Sequence, residues 1–561
     1  MRTIHHKADL CVIGGGIAGL CTAVSAARHG ISVVLMQDRP VLGGNASSEI
    51  RMWVCGADGR DVRETGIVEE LMLENYYRNQ SLSYSIWDSV LYEKARFEPN
   101  ITLLCNCSCN KAEISDGHIQ SVTGWQLTTE TFHVAEASYF ADCSGDSVLA
   151  PLTGAHYMRG REGRAQFGES IAPETADDKT MGMSCLFQIR ETDSVQTYIP
   201  PAWAYSYPDD ASLPYRDHDF DLSNNFWWIE LGGMADSIHD TESLKDELLK
   251  IAFGVWDHVK NKGDHGYENW ALDWVGFLPG KRESRRYVGK HIITQGDVES
   301  EGRFPDVVAY GGWTMDDHFP EGFYYQKGCS TIWHPAPSPW GIPWRSLISE
   351  NIDNLCFAGR NISTTHVALS SSRVMATCGV MGQALGTGVA QAVQSGTSLA
   401  LVDIDTLQQT LMYDDCFLPF QTRRVSPLTA KARVNSELIR NGIERGDANC
   451  FCGNRITLSF DTPEEIREIR LVFDSDLNRP YDNMPCNYPL HQPEYKLPQT
   501  LVKAYRIYAD GKLIAEETNN YQRLRKHAVS VCAKEVEICI VKTHGAKEGR
   551  VFAVDLAGQM Q

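Results

Sequence analysis

A glycine turn between an apolar strand and a helix at the N-terminus, a second glycine pair after the next strand, and short alternating strands near the C-terminus predict the fold class. That class is α/β: a Rossmann-type dinucleotide-binding domain with an inserted α+β substrate or cap domain, followed by a C-terminal all-β sandwich. At 561 residues the chain is too long for one hydrophobic core, so several domains are expected. Its 43% apolar and 22% charged residues are those of a soluble globular protein. No apolar run reaches the roughly eighteen residues of a membrane span. A net charge of −20 repels phosphate, which argues against nucleic acid or an anionic membrane as a partner.

The first element is "ADLCVIGGGIAGLCTAVSAARHGISVVLM", which reads as strand, turn, helix and strand. Gly14, Gly16 and Gly19 fit G-x-G-x-x-G. The first permits the tight turn, the second lets backbone approach a pyrophosphate, and the third lets helix pack on strand. The helix N-terminus then favours the phosphate charge. An acidic residue is expected at the end of the second strand to bind ribose hydroxyls. The sequence there is "VVLMQDRP", so the usual register puts Gln37 at that place and Asp38 one step later. Either can accept a hydroxyl proton, and both stay open.

The second glycine pair lies in "RPVLGGNASSEIRMW", where Gly43 and Gly44 allow a further close backbone approach and Asn45, Ser47 and Ser48 offer donors. Downstream come "YFADCSGDSVLA" (139–150), "GKRESRRYVGKHIITQGDV" (280–298), "WGIPWRSLI" (340–348) and "NLCFAGRNISTTHVALSSSRVMATCGVMGQALGTGVA" (354–390). In this order the segments resemble the glutathione-reductase-type FAD fold, in its fumarate-reductase-like branch of FAD-dependent oxidoreductases. The resemblance covers residues 9–390 and implies non-covalently bound FAD, since the second loop carries no histidine for covalent attachment. It implies cofactor contacts from Gly14, Gly16, Ile17, Ala18, Gly19, Gln37, Asp38, Arg39, Gly43, Gly44, Asn45 and Ser47. Cys143, Ser144 and Gly145 would approach the adenosine half, and Gly359, Arg360 and Ala376 belong to the returning segment. A helix from about Ser371, slimmed by Gly379, Gly382, Gly386 and Gly388, would direct its N-terminus at the flavin.

The expected domains are 1–155 with 340–403 for FAD, 156–339 for the cap, 404–447 as a helical connector and 448–561 as the sandwich. The cap is rich in tryptophan and tyrosine ("NNFWWIELGG", "HGYENWALDWVGFLPG"), whose faces suit a polyol, sugar or ring substrate or else fill a core. A helix is expected over 241–262, with a Thr cap and a Gly stop. The C-terminal strands resemble a discoidin or galactose-binding-like jelly roll, which implies carbohydrate binding or a purely structural attachment.

These features predict an FAD-dependent oxidoreductase acting by hydride transfer to or from flavin N5 on a small polyhydroxylated or ring-containing, carbohydrate-derived substrate. An alkene reductase of the fumarate-reductase type is one alternative, and a flavoprotein whose main role is glycan binding is another. His366, at the join before the returning helix, is the expected general base, with His318 and His334 as further candidates; Arg373 would hold an anion or developing alkoxide. Arg285 and Arg286 beside Glu283 read as structural pairs. The partners expected are the small-molecule substrate and a separate electron donor or acceptor, with a homo-oligomer left open. The seventeen cysteines form no C-x-x-C, and "CNCSC" (Cys105, Cys107, Cys109) reads as strand cysteines, so no metal is expected. Such cysteine usage suits the cytoplasm, or export if a leader has been removed.

Overall fold

The computed structural model describes residues 1–218, 225–480, 488–491 and 496–558, and every statement below concerns these. The chain divides into two compact units. The first comprises Met1–Asp58, Leu82–Asp403 and Asp482–Pro493; the second comprises Gly59–Ser81, Ile404–Tyr481 and Glu494–Gln561.

The first unit is built on a seven-stranded sheet. Strands β1 (Arg2–Ile13), β2 (Val33–Met36) and β3 (Ile101–Leu104) lie parallel, and β4 (Cys107–Ser115) and β5 (His118–Gln126) form an antiparallel meander that ends in β6 (Thr131–Asp142). β6 returns parallel to β1. Its first half pairs with β5, and Phe140–Asp142 pair instead with β7 (Leu355–Phe357). β1 is longer than the four apolar residues suggest: its exposed start pairs with β6, and only Leu10–Ile13 is fully buried, as a central parallel strand requires. Helix α1 (Ile17–Arg28) follows β1 and is buried along almost its whole length.

Between β6 and β7 the chain forms several two- and three-stranded antiparallel sheets around helix α2 (Thr241–Asp257). Leu248, Ile251, Val255 and Trp256 of α2 pack with Phe187, Phe226 and Trp228 in one apolar cluster. Two of the cap tryptophans, Trp228 and Trp256, are therefore core residues. The helix ends five residues earlier than expected, passing into a π turn over His258–Lys262 before Gly263. Asp240 holds the N-cap position, and the Thr241 hydroxyl donates to the Ser237 carbonyl instead of capping. The returning segment is two helices, α3 (His366–Ser372) and α4 (Met375–Ser395), because Val374 adopts an extended conformation between them.

The second unit carries an all-antiparallel seven-stranded sheet. Two of its strands, β8 (Arg455–Phe473) and β11 (Leu524–Thr543), are long, and shifts in their register near Ser459 and Ile466 bend them. β9 (Val502–Ala509) and β10 (Lys512–Glu517) extend the sheet on one side and β12 (Arg550–Ala557) on the other. Residues 404–447, expected as a connector, are part of this unit, and so is the segment Gly59–Ser81, which sequence order assigns to the nucleotide fold.

Buried charge explains both. Arg470, fully buried, donates to both carboxylate oxygens of Glu444 at 2.6 and 2.8 Å. Burial raises the Glu444 carboxyl, but Arg470 and Arg423 outweigh it and hold it at about 2. Arg523 pairs with Asp415 at 3.0 Å, and Arg479 reaches Glu69 of helix Ile67–Arg78 at 2.8 and 2.6 Å, all four groups being buried. A chain ended at residue 447 loses Arg470, Arg479 and Arg523 while keeping their buried carboxylate partners. Breaking a buried pair by removing one partner costs about 3–5 kcal/mol. Such a truncation should be insoluble or molten, and a soluble 1–447 fragment with cooperative unfolding by circular dichroism would contradict this account.

Candidate active site

The two glycine turns meet backbone to backbone. Gly14 has φ +95°, and a Cβ on it would lie 2.6 Å from the Cys143 carbonyl oxygen and from Ser144 Cα. Gly16 is the N-cap of α1, which has no side-chain cap. Gly43, at φ +104°, donates its N–H to the Gly15 carbonyl at 2.8 Å and forms a bridge with Gly16. A Cβ on Gly44 would stand 3.2 Å from Gly16 Cα, whereas one on Gly16 would meet only Gly44 Cα at 3.9 Å. Gly16 therefore presents bare backbone to open space. That space is a cavity of about 740 Å³.

Most of the expected cofactor residues line this cavity: Gly14, Gly16, Ile17, Ala18, Gln37, Asp38, Arg39, Gly43, Gly44, Asn45, Cys143, Ser144, Gly145, Gly359 and Arg360. Three do not, each for a local reason. Gly19 faces α1's own start, where a Cβ would lie 1.8 Å from the Gly14 carbonyl oxygen. Ser47 is buried, and its hydroxyl donates to the Gly44 carbonyl at 2.7 Å, which stabilises the second turn. Ala376 donates its N–H to the Cys55 carbonyl at 2.9 Å, so the start of α4 meets the cavity through Val374, Met375 and Cys378.

The residues at the end of β2 differ in what they can offer. Gln37 is buried; its Oε1 accepts from the Gly15 N–H at 2.7 Å and its Nε2 donates to the Val41 carbonyl at 3.0 Å. Its amide ties the two turns together. Asp38 follows the strand's last residue but one and keeps a 60% exposed side chain at the cavity wall. Arg39 Nη1 and Glu49 Oε2 are buried there without hydrogen bonds, 3.5 Å apart. Across the cavity Asp146 joins Arg360 at 2.5 Å and Lys281 at 2.8 Å; burial raises its carboxyl, but these cations bring it down to about 2.

A second group lines the cavity on the inserted segment. Asp316 and His318 lie on the strand Met315–His318, paired with Thr331–His334. His318 Nδ1 faces Glu230 Oε2 at 2.7 Å, and Glu230 is fully buried, accepting also from the Gly182 N–H. With a carboxylate opposite, Nδ1 is the donor, which leaves Nε2 on the side of Asp316, 3.6 Å away. Arg373 donates to the carbonyl and carboxylate of Asp316 at 3.0 and 3.1 Å, while its Nε is buried without a hydrogen bond. Burial raises the Asp316 carboxyl, yet His318 and Arg373 hold it far below the carboxylate range. Arg282 and three tryptophans, Trp227, Trp313 and Trp333, complete this wall.

His366, the expected base, is elsewhere. It is buried outside the cavity wall, with Nδ1 2.9 Å from Glu283 Oε2 and Nε2 3.0 Å from Asp317 Oδ1. Burial alone would lower its pKa, but the two carboxylates raise it to about 10. An imidazole that keeps both protons at neutral pH takes none from a substrate, so the assignment of the base to His366 is corrected. Arg286 closes the cluster, fully buried between Glu283 and Glu162, as the sequence suggested for a structural pair. Glu230, Asp316, Asp146 and Lys281 were missed, because nothing local in the sequence marks them.

Two glycine turns and two helix starts around one cavity define a dinucleotide-binding oxidoreductase fold. Residues 9–411 match the model of the FAD dependent oxidoreductase family, and the chain belongs to that family. No curated protein matches it. Among solved structures, E. coli quinol fumarate reductase FrdA is 12%-covering no more than fold-level likeness allows: 11% identical, with 74% of each chain aligned and a TM-score of 0.28. The anhydrotetracycline hydroxylase OxyS from Streptomyces rimosus is 11% identical over 72% of this chain and 65% of its own, with a TM-score of 0.33. The family 32 carbohydrate-binding module of Streptococcus pneumoniae EndoD is 12% identical over 24% of this chain and all of its own, with a TM-score of 0.19. The family's FAD fits the residues present, since bare backbone at Gly16 and Gly44, an uncapped helix start and the unpaired Arg39 Nη1 all border the cavity. Among the described residues no helix is long and apolar enough to cross a membrane.

Gly16→Val should fold normally but lose FAD, because its methyls enter the open space beside Gly44. Flavin absorbance after reconstitution, beside an unchanged far-ultraviolet circular dichroism spectrum, checks this. His366→Gln should cost about 3–5 kcal/mol of stability by leaving two buried carboxylates short of a cation. The raised pKa fixes the sign with pH: the imidazolium's contribution is complete below about 6.5 and disappears as pH rises through about 10. The unfolding temperature of the natural protein should therefore fall more between pH 7 and 10 than that of His366→Gln.

Proposed function

We propose that the protein binds FAD non-covalently and oxidises or reduces a small polyhydroxylated or ring-containing substrate, carbohydrate-derived compounds being the first class to test, by hydride transfer at flavin N5. The observation that carries this reading is the Glu230-backed His318 in the same cavity as the glycine cradle. Bound FAD supplies the two-electron acceptor or donor. His318 Nε2 takes the proton of a substrate hydroxyl, and Glu230 holds the ring in the tautomer that allows it. Arg373, positioned by Asp316, offers positive charge to the oxygen as that proton leaves. The tryptophan faces stack against a ring or a C–H face of the substrate. A non-covalent cofactor accords with Asn45-Ala46-Ser47-Ser48 in the second loop, which offers no histidine.

Reduction of an unsaturated dicarboxylate fits less well. Arg282 already donates to Ser184 Oγ and the Trp227 carbonyl beside Glu230, and Arg373 is joined to Asp316. Neither is left to clamp a second carboxylate. The electron partner on this reading is a separate small molecule or protein.

His318→Gln should retain FAD and its spectrum yet slow flavin reduction by about a hundred- to ten-thousandfold, the usual loss when a general base is removed. The measurement is anaerobic reduction of the bound flavin by a panel of sugars and polyols, followed by stopped flow. Failure of the whole panel, with rapid oxidation of the reduced protein by unsaturated dicarboxylates, would overturn the reading in favour of an alkene reductase.

A further inference from the structure

Away from the cavity, four side chains of the inserted segment converge: Asp210, His218, His258 and His265. Their nearest ligand-type atoms all lie within 4.8 Å of one another. Asp210 Oδ1 stands 3.2 Å from His258 Nε2, 3.5 Å from His265 Nε2 and 3.6 Å from His218 Nδ1. Four ligands about 2.0–2.1 Å from a tetrahedral zinc ion are separated by about 3.3 Å from one another, so this spacing is that of a coordination shell. The Nε2 atoms of His218, His258 and His265 are all buried, and none makes a hydrogen bond of acceptable geometry. Three unsatisfied imidazole nitrogens aimed at one point cost free energy that a cation recovers.

The surroundings support the same reading. His258 Nδ1 donates to the Tyr207 carbonyl at 2.9 Å, which fixes the tautomer whose Nε2 lone pair faces the cluster. The three rings stand edge to face or tilted, with centroids 4.8–5.3 Å apart, an arrangement that directs nitrogens inward rather than stacking faces. We propose that Asp210, His218, His258 and His265 bind one divalent transition-metal ion, zinc by preference, as a closed structural site. Three imidazoles and one carboxylate in a tetrahedral arrangement suit zinc over magnesium or calcium, which require more oxygen ligands. Four protein ligands leave no position open for a substrate, so the ion acts on the fold.

Its task follows from where the ligands sit. His258 lies in the π turn that ends α2, and His265 in the loop after it. Asp210 is in a 3-10 turn of the stretch between the strands Phe187–Glu191 and Glu230–Leu231, where that turn is the only regular element among the described residues. A stretch so poor in backbone pairing needs a fastening, and the ion ties it to the end of α2. The same stretch leads to Trp227 and Glu230 of the active site. Sequence spacing gave no warning, because the ligands scatter from 210 to 265 with no paired motif.

The test uses the untagged full-length protein, dialysed against micromolar zinc and then against metal-free buffer. Elemental analysis should find about one zinc ion per chain, and X-ray absorption should find nitrogen and oxygen ligands at about 2.0–2.1 Å with no sulfur. His258→Ala combined with His265→Ala should hold none. Asp210→Ala, at an exposed position where folding is not in question, should surrender zinc to a chelator at least tenfold faster. Stripping zinc should lower the unfolding temperature of the natural protein and leave that of the double variant unchanged. Absence of zinc from the dialysed natural protein, sulfur in the coordination shell, or equal retention by the Asp210 variant would overturn the proposal.

Discussion

Everything in the first unit rests on α1 and α4 touching through bare backbone. A Cβ on Gly382 would lie 2.1 Å from the Ala18 carbonyl oxygen, and one on Gly386 would lie 2.2 Å from that of Thr22. These glycines are four residues apart and so share one face of α4. With no side chains between them the helices approach closely enough for Ser25 and Thr387 to join hydroxyls at 2.7 Å. The consequence is electrostatic as well as steric. Both helices begin at the same cavity, and neither has a side-chain cap, so their unpaired amides and positive dipole ends add there.

Asp142, at the end of β6, carries that arrangement to the rest of the unit. Its carboxylate accepts from the N–H and hydroxyl of Ser144, from the Leu149 N–H at 2.8 Å and from the Tyr287 hydroxyl at 2.6 Å. Asn361, just after β7, donates to its carbonyl. One buried group thus shapes the turn facing Gly14, anchors the inserted segment through Tyr287 and fixes the return of the chain. Burial pushes the Tyr287 hydroxyl far above its ordinary range, and the adjacent carboxylate pushes it further, so it stays a donor.

What was legible in the sequence was what chemistry imposes locally. Gly14 needs positive φ, Gly43 and Gly44 need it again, and Gly382 and Gly386 admit a neighbouring backbone; each requirement leaves a glycine at a fixed place. Gln37 shows the limit. The motif assigns a ribose contact to that position, but the amide is engaged between the two turns, a pairing visible only once the second loop has folded over the first. The segment 59–81 was misplaced for a similar reason. Its helix looks like one more crossover of the nucleotide fold, and what draws Glu69 into the second unit is an arginine 410 positions away. Long-range charge pairs leave no local pattern to read.

The choice between the two histidines turns on the alternation of a single strand. In Met315–His318, residues two apart share a face, so Asp316 and His318 point one way and Asp317 the other. The first pair meets Glu230, Arg373 and the cavity; the second face meets His366, Glu283 and the buried Arg286. The two clusters contain the same kinds of group and differ in their balance. His366 sits between two carboxylates and is locked as a cation, whereas His318 shares its surroundings with Arg282 and Arg373, and only Glu230 contacts it closely. A histidine that keeps its proton stabilises the junction, and one whose second nitrogen faces a cavity can exchange it. The strand places these two tasks back to back, so the charge that fixes the fold stays out of the space where substrate and cofactor would meet.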